Sequence, residues 1–218
     1  MGMVSALGRV MRTFLRNNGL SLVLLALFVA SFVGQTTTGR AQYNEERVQH
    51  GEPPVSYAGY VRSGHFLEAT MENWESEFLQ MASYVLLTAF LYQRGSAESK
   101  DPDRPDASAD ARPRMSIGAW VYEHSLSLAL LALFVMSFAL HAVGGARAYN
   151  EEQIWEGAAR LSPLDYVMSS RFWFESFQNW QSEFFSIWAM IVLSIFLRQK
   201  GSPESKPIGS PNGQTGTG

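Results

Sequence analysis

Four stretches of the chain are apolar and free of charge: residues 20–33 (LSLVLLALFVASFV), 78–91 (FLQMASYVLLTAFL), 125–140 (SLSLALLALFVMSFAL) and 184–197 (FFSIWAMIVLSIFL). None alternates in polarity, and each is apolar nearly all round, a pattern of helices buried in a large core or in lipid. A chain of 218 residues has too little other apolar sequence to bury four such helices, so lipid is the expected solvent. A crossing needs about 20 residues. The first is expected to run on through Gln35 and the Thr36-Thr37-Thr38 triplet to Gly39, and the third through His141 to Gly145. Threonine tolerates such a position by bonding its own helix backbone. The second and fourth must draw on residues 73–77 and 179–183, and residues 43–49 and 65–74 should extend the helices as a polar cap.

Ahead of the first crossing, Val4, Leu7, Val10, Met11, Phe14 and Leu15 fall at helical spacing among Arg9, Arg12 and Arg16. Residues 1–17 are expected to form an amphipathic cytoplasmic lead-in on an anionic membrane surface. The stretch LSLVLLALFV at 20–29 returns as LSLALLALFV at 126–135, which argues against a cleaved leader.

That return is part of a duplication. Residues 18–100 align without a gap on 124–206, at a constant offset of 106, with about 36 of 83 positions identical. Tyr43-Asn44-Glu45-Glu46 matches Tyr149-Asn150-Glu151-Glu152, and Asn73-Trp74 matches Asn179-Trp180. Two crossings per unit return the chain to its starting side, so the units should share one orientation about an axis along the membrane normal. The expected organisation is two hairpin repeats over 18–94 and 115–200, joined by a disordered Asp/Pro/Ser-rich linker at 95–114 and followed by a disordered tail at 201–218.

Composition narrows the chemistry. The chain has no cysteine, which removes disulfides, thiol redox chemistry and cysteine-ligated metals. A net charge of -3 with no basic stripe makes nucleic acid an unsuitable partner. Eleven of the 17 Lys and Arg residues fall in the N-terminus, linker and tail, whereas 13 of the 20 acids fall in the two inter-helix loops. The positive-inside rule therefore puts both termini in the cytoplasm and the acidic loops outside.

Three constellations stand out. Counting along the helices places Gln35 level with Glu77 and His141 level with Glu183, a polar layer whose His–Glu pair could relay protons or hold a cation, although the preferred reading has both carboxylates in the headgroup region, bonding only water or a helix N-terminus. Tyr43, Asn44, Glu45 and Glu46 with Tyr149, Asn150, Glu151 and Glu152 form an outer acidic cap. Its carboxylates could hold a divalent ion, but a solvated helix face is the preferred reading, so no metal or cofactor is expected. Asn73, Trp74, Asn179 and Trp180 read as interface anchors, Trp at headgroup level and Asn bonding across a helix pair. No nucleophile elbow, zinc-protease motif or phosphate loop is present, so no catalytic residue is assigned and no enzyme is expected.

RNNGLSLVLLALFV, the Tyr-Asn-Glu-Glu element, GHFLEATMENWESEFLQM and QRGSAESKDPD together resemble an uncharacterised bacterial membrane family of the DUF6766 type. The resemblance spans both repeats and implies a multi-pass protein of the bacterial cell membrane, with no activity to carry over. Among the positions where the repeats differ, Glu75 is replaced by Gln181 and Glu68 by Phe174, so the two outer faces are not electrostatically equivalent. The expected fold is an all-α integral membrane four-helix bundle of two parallel-oriented hairpin repeats. The expected role is structural or accessory, with lipid, another membrane protein or a further copy of the chain as partners. The alternative is a small transporter or cation-coupled channel using the membrane-boundary carboxylates.

Overall fold

The computed structural model describes residues 2–103, 116–156 and 159–216. Among these there are helices and turns and no strand. The helices are α1 (Gly2–Gln49), α2 (Tyr57–Tyr60), α3 (Gly64–Phe90), α4 (Ile117–Glu123), α5 (Ser125–Glu156), α6 (Pro163–Val167) and α7 (Ser170–Phe196). The lead-in is continuous with the first apolar run in one 48-residue helix. Thr36 and Thr37 bond the carbonyls of Phe32 and Val33, as the sequence reading required. Val10–Gln49 and Ser125–Ile154 are long and apolar enough to cross a membrane, and little of either is buried.

The chain divides into two compact units, residues 1–66 and 67–218. The boundary lies in the first turn of α3, not in the linker where the two hairpins were expected to part.

In the first unit, Tyr43, Tyr60 and Phe66 form a small core with Phe32 and Val55 packed against it. Asn44 accepts from Val55 N at 2.7 Å and donates to Val55 O at 3.2 Å, clamping the loop back onto α1. In the second unit, Ala142, Ala146, Tyr166 and Phe172 form the core. Asn150 makes the same two-bond clamp on Leu161, both bonds at 2.8 Å. Each contact thus has a counterpart 106 residues on, down to the Ser56 and Ser162 side chains that cap α2 and α6.

Close packing in the second unit depends on small residues of α5. A Cβ at Gly144 would lie 2.5 Å from the Glu68 backbone nitrogen, and one at Gly145 would overlap the Tyr166 ring. These gaps let α3 and α6 approach α5, and so set the distance at which side chains of α3 and α5 meet.

The tail corrects the expectation of disorder. Residues 199–216 run in turns, and Lys206 is buried. Its ammonium donates to Ile195 O, Asn212 O and Gln214 O at 2.9–3.2 Å, and to Gly95 O. A Gly/Ser/Pro-rich segment reads as coil because it has no apolar surface to bury, but a cation held at the C-terminal end of α7 fixes it by other means. Residues 95–103 of the linker are fixed too, Arg94 pairing with Asp103 at 2.6 Å. The rest of the linker lies outside the described residues.

Candidate cation centre

On α3, Glu68, Glu72 and Glu75 follow at spacings of four and three, so they share one face of the helix. Two of these carboxylates meet side chains of α5, α6 and α7 in the second unit. His141, on α5, is fully buried. Its Nδ1 lies 2.7 Å from Glu75 Oε2, and its Nε2 lies 3.4 Å from Glu175 Oε2 on α7. Trp180 Nε1 donates to the other oxygen of Glu75 at 3.1 Å. Tyr166, on α6, donates to Glu175 Oε2 at 2.6 Å and to Glu68 Oε1 at 3.1 Å. Arg171 donates from Nε to Glu175 Oε1 at 3.0 Å and grips Glu152 through both terminal nitrogens at 2.6 and 3.1 Å.

Local sequence explains the placement. Ser162 and Asp165 form a capping box at the start of α6, which fixes Tyr166 one turn in. Ser169 caps α7, which sets the register of Arg171, Glu175 and Trp180. The His141 ring stacks on Phe172, with centroids 4.7 Å apart, so its plane is set by an apolar neighbour and its edges by carboxylates.

The electrostatics separate the carboxylates. Burial and the charge of Glu175 push Glu68 up to about 7. Burial alone would raise Glu175 too, but hydrogen bonds from His141, Tyr166 and Arg171 outweigh it and hold Glu175 below the usual range. The Tyr166 hydroxyl is raised by burial, by its bond to Glu175 and by the charge of Glu68, so it serves as a donor. Ligand atoms of Glu72, His141 and Glu175 all lie within 4.8 Å of one another.

The sequence-derived residues fare unevenly. His141 is in the centre, but with Glu75 and Glu175, not with Glu183. The pairing with Glu183 fails because it lies eight residues beyond Glu175 on α7, about 12 Å along the axis. Glu183 instead receives Gln80 on its carbonyl at 3.0 Å and feels the charge of Glu77, which is exposed. Gln35 is half-buried on α1 in the first unit. Of the outer cap, Tyr43 is a core residue, Asn44 and Asn150 are loop clamps, and Tyr149 packs beside Tyr166. Glu45 is exposed, Glu46 accepts from Gln42 at 3.2 Å, Glu151 is half-buried, and Glu152 holds Arg171. Asn73 and Asn179 bond carbonyls of their own helices, those of Ala69 and Glu175, not another helix. Trp74 rests on Phe78, whereas Trp180 donates to Glu75.

Sequence reasoning missed Glu68, Glu72, Glu75, Tyr166, Arg171 and Glu175 as site residues, marking Glu68 and Glu75 only as differences between the repeats. A signal was present: at the offset of 106 they face Phe174, Gln178, Gln181, Tyr60, His65 and Ala69, so five of the six are positions where the repeats differ.

The family described as "Domain of unknown function (DUF6766)" matches residues 11–217. No curated protein and no solved structure matches the chain. With nearly its whole length covered, the chain belongs to the DUF6766 family.

Proposed function

We propose that this protein is a multi-pass membrane protein of the small-transporter or channel class, in which the His141 centre holds a cation in transit. Its four crossings are residues 20–39, 73–91, 125–145 and 179–197, with both termini cytoplasmic and the acidic loops outside the bacterial inner membrane. Exposed apolar side chains along these segments support a lipid setting, among them Leu20, Leu25, Phe90, Phe185, Trp188 and Phe196. The apolar runs of α1 and α5 offer little but serine to a hydrophilic solute, an argument against transport when only those helices are considered.

The observation that carries the reading lies on α3. Glu68, Glu72, Ser76, Gln80, Tyr84 and Thr88 follow at a spacing of four, a polar row winding slowly along a mostly apolar helix. The row starts at the centre. It passes Gln80, bonded to Ser186 at 3.0 Å, and a cavity between α3 and α7 lined by Gln80, Tyr84, Ser186 and Met190. It continues to Tyr84, which donates to Glu98 at 2.6 Å beyond the end of α3. Such a row gives a desolvated ion successive oxygen partners, the requirement for movement through an apolar helix set. No step of this reading needs catalysis, and we read the protein as a non-enzyme.

The test is current in proteoliposomes on a solid-supported membrane, after concentration jumps of protons, Mg2+, Mn2+ and Zn2+ in turn. A transient for at least one cation, reduced at least tenfold in Gln80→Leu, is expected. Currents no larger than those of protein-free liposomes overturn the reading.

The structural or accessory role stands second. Phe174 and Phe177, both more than half exposed, lie on the part of α7 ahead of the proposed crossing, where acyl chains do not reach them. A partner protein would cover them.

A further inference from the structure

We infer that the centre is a binding site for a divalent first-row transition-metal ion, with His141 Nε2, Glu72 and Glu175 as its ligands. The inference rests on the centre being a cation site, and it names the cation.

His141 is the starting point. Glu75 accepts Trp180 N–H on one oxygen, and its other oxygen faces His141 Nδ1 at 2.7 Å. A carboxylate has only lone pairs to offer, so an imidazole nitrogen that faces one carries a proton, and Nδ1 is held protonated by Glu75. Nε2, on the other side of the fully buried ring, faces Glu175 Oε2 at 3.4 Å, a longer and weaker contact than that of Nδ1 with Glu75. A metal ion would take the place of the Nε2 proton, its charge held by the same carboxylate.

The third donor is free for the task. Among the described residues, Glu72 makes no side-chain hydrogen bond, yet it stands within 4.8 Å of both other donor atoms. Donors around a tetrahedral ion at about 2.1 Å sit roughly 3.4 Å apart, so modest side-chain rotation closes the set. Glu75 then acts as the outer carboxylate that orients a metal-bound histidine. One imidazole and carboxylates, with no thiolate in the chain, suit Zn2+, Mn2+ or Fe2+ better than the all-oxygen cages that favour Ca2+. Glu75 and Glu68 bring further carboxyl groups to the centre, and Arg171 offsets one unit of negative charge.

The experiment is a titration of the full-length protein in detergent with Mn2+, followed by electron paramagnetic resonance, and with Zn2+ by calorimetry. One ion per chain is expected, with affinity at least tenfold weaker in H141Q and E175Q. E72Q removes a ligand without touching any hydrogen bond described above. It should lose affinity at an unchanged melting temperature, and E45Q should bind as the parent does. An unchanged affinity in E72Q, or no ion bound by the parent, overturns the site. Metal bound without current in liposomes overturns the transport reading alone, and current without metal binding overturns only this inference.

Discussion

Trp180 and Glu75 stand 105 residues apart, on α7 and α3, and meet through an indole N–H donated to a buried carboxylate at 3.1 Å. The bond ties a duplicated residue to an unduplicated one. Trp74 repeats Trp180, but the position matching Glu75 is Gln181. The structural division of labour follows the same line. Residues that the repeats share build the scaffold, as Asn44 and Asn150 do. The centre gathers positions where they differ: Glu72, Glu75, His141, Arg171 and Glu175.

Trp180→Phe keeps the ring and deletes the donor. Leaving a buried acceptor short of one bond should cost about 1–3 kcal/mol. Thermal unfolding in detergent reads this directly. An unchanged midpoint would mean that Glu75 is held without the indole.

The asparagine clamps give a paired test. Asn150→Ala removes both bonds to Leu161 and should destabilise the α5–α6 loop by about 1–3 kcal/mol. Asn150→Asp keeps an acceptor for Leu161 N but loses the donor to its carbonyl, so its loss should be smaller. Limited proteolysis after Arg160 ranks the three chains, and equal rates would refute the clamp.

Gly145 and Gly34 separate packing from backbone entropy. A methyl at Gly145 overlaps the Tyr166 ring, whereas one at Gly34 meets nothing within 4 Å. Gly145→Ala should destabilise by about 1–3 kcal/mol. Gly34→Ala should be neutral or stabilising by up to about 1 kcal/mol, the ordinary helix preference for alanine. Melting temperatures that move the same way in both variants would contradict the packing described.

Much of this architecture was legible in the sequence. The helix spans follow from uninterrupted apolar runs, and the extension of α1 to Gln49 and the start of α3 at Gly64 follow from the polar cap. His141 was visible as an ionisable residue directly continuing the third apolar run. Its partners were not, because depth counted from helix ends carries an error of a turn or more per helix, and two turns separate Glu175 from Glu183. Tyr166 was hidden for another reason: its neighbours are set by the clamp on Leu161 and the close approach allowed by Gly145, contacts between residues far apart in sequence. The ordered tail was hidden because composition reports only apolar burial, and Lys206 is held by carbonyls.

The tail should respond to pH. Burial pushes Glu98 above the ordinary carboxylate range; the bond from Tyr84 opposes this, and the charge of Glu204 adds to the rise. A carboxyl raised on folding stabilises the folded state most below its unfolded value, and that contribution is lost as pH rises through the folded value. The tail should therefore be held more tightly under mildly acidic conditions. In E98Q this dependence should vanish. Hydrogen exchange over residues 206–216, taken as the ratio of parent to E98Q at each pH, should climb as pH is raised. A flat ratio would contradict it.

The most direct measurement is 15N magnetic resonance of the histidine-labelled protein in lipid, with H141Q identifying the resonances of His141 among the four histidines. The account predicts that Zn2+ shifts Nε2 of His141 alone, while Nδ1 stays protonated against Glu75. Ring signals that ignore Zn2+, or a shift at Nδ1 instead, would contradict it.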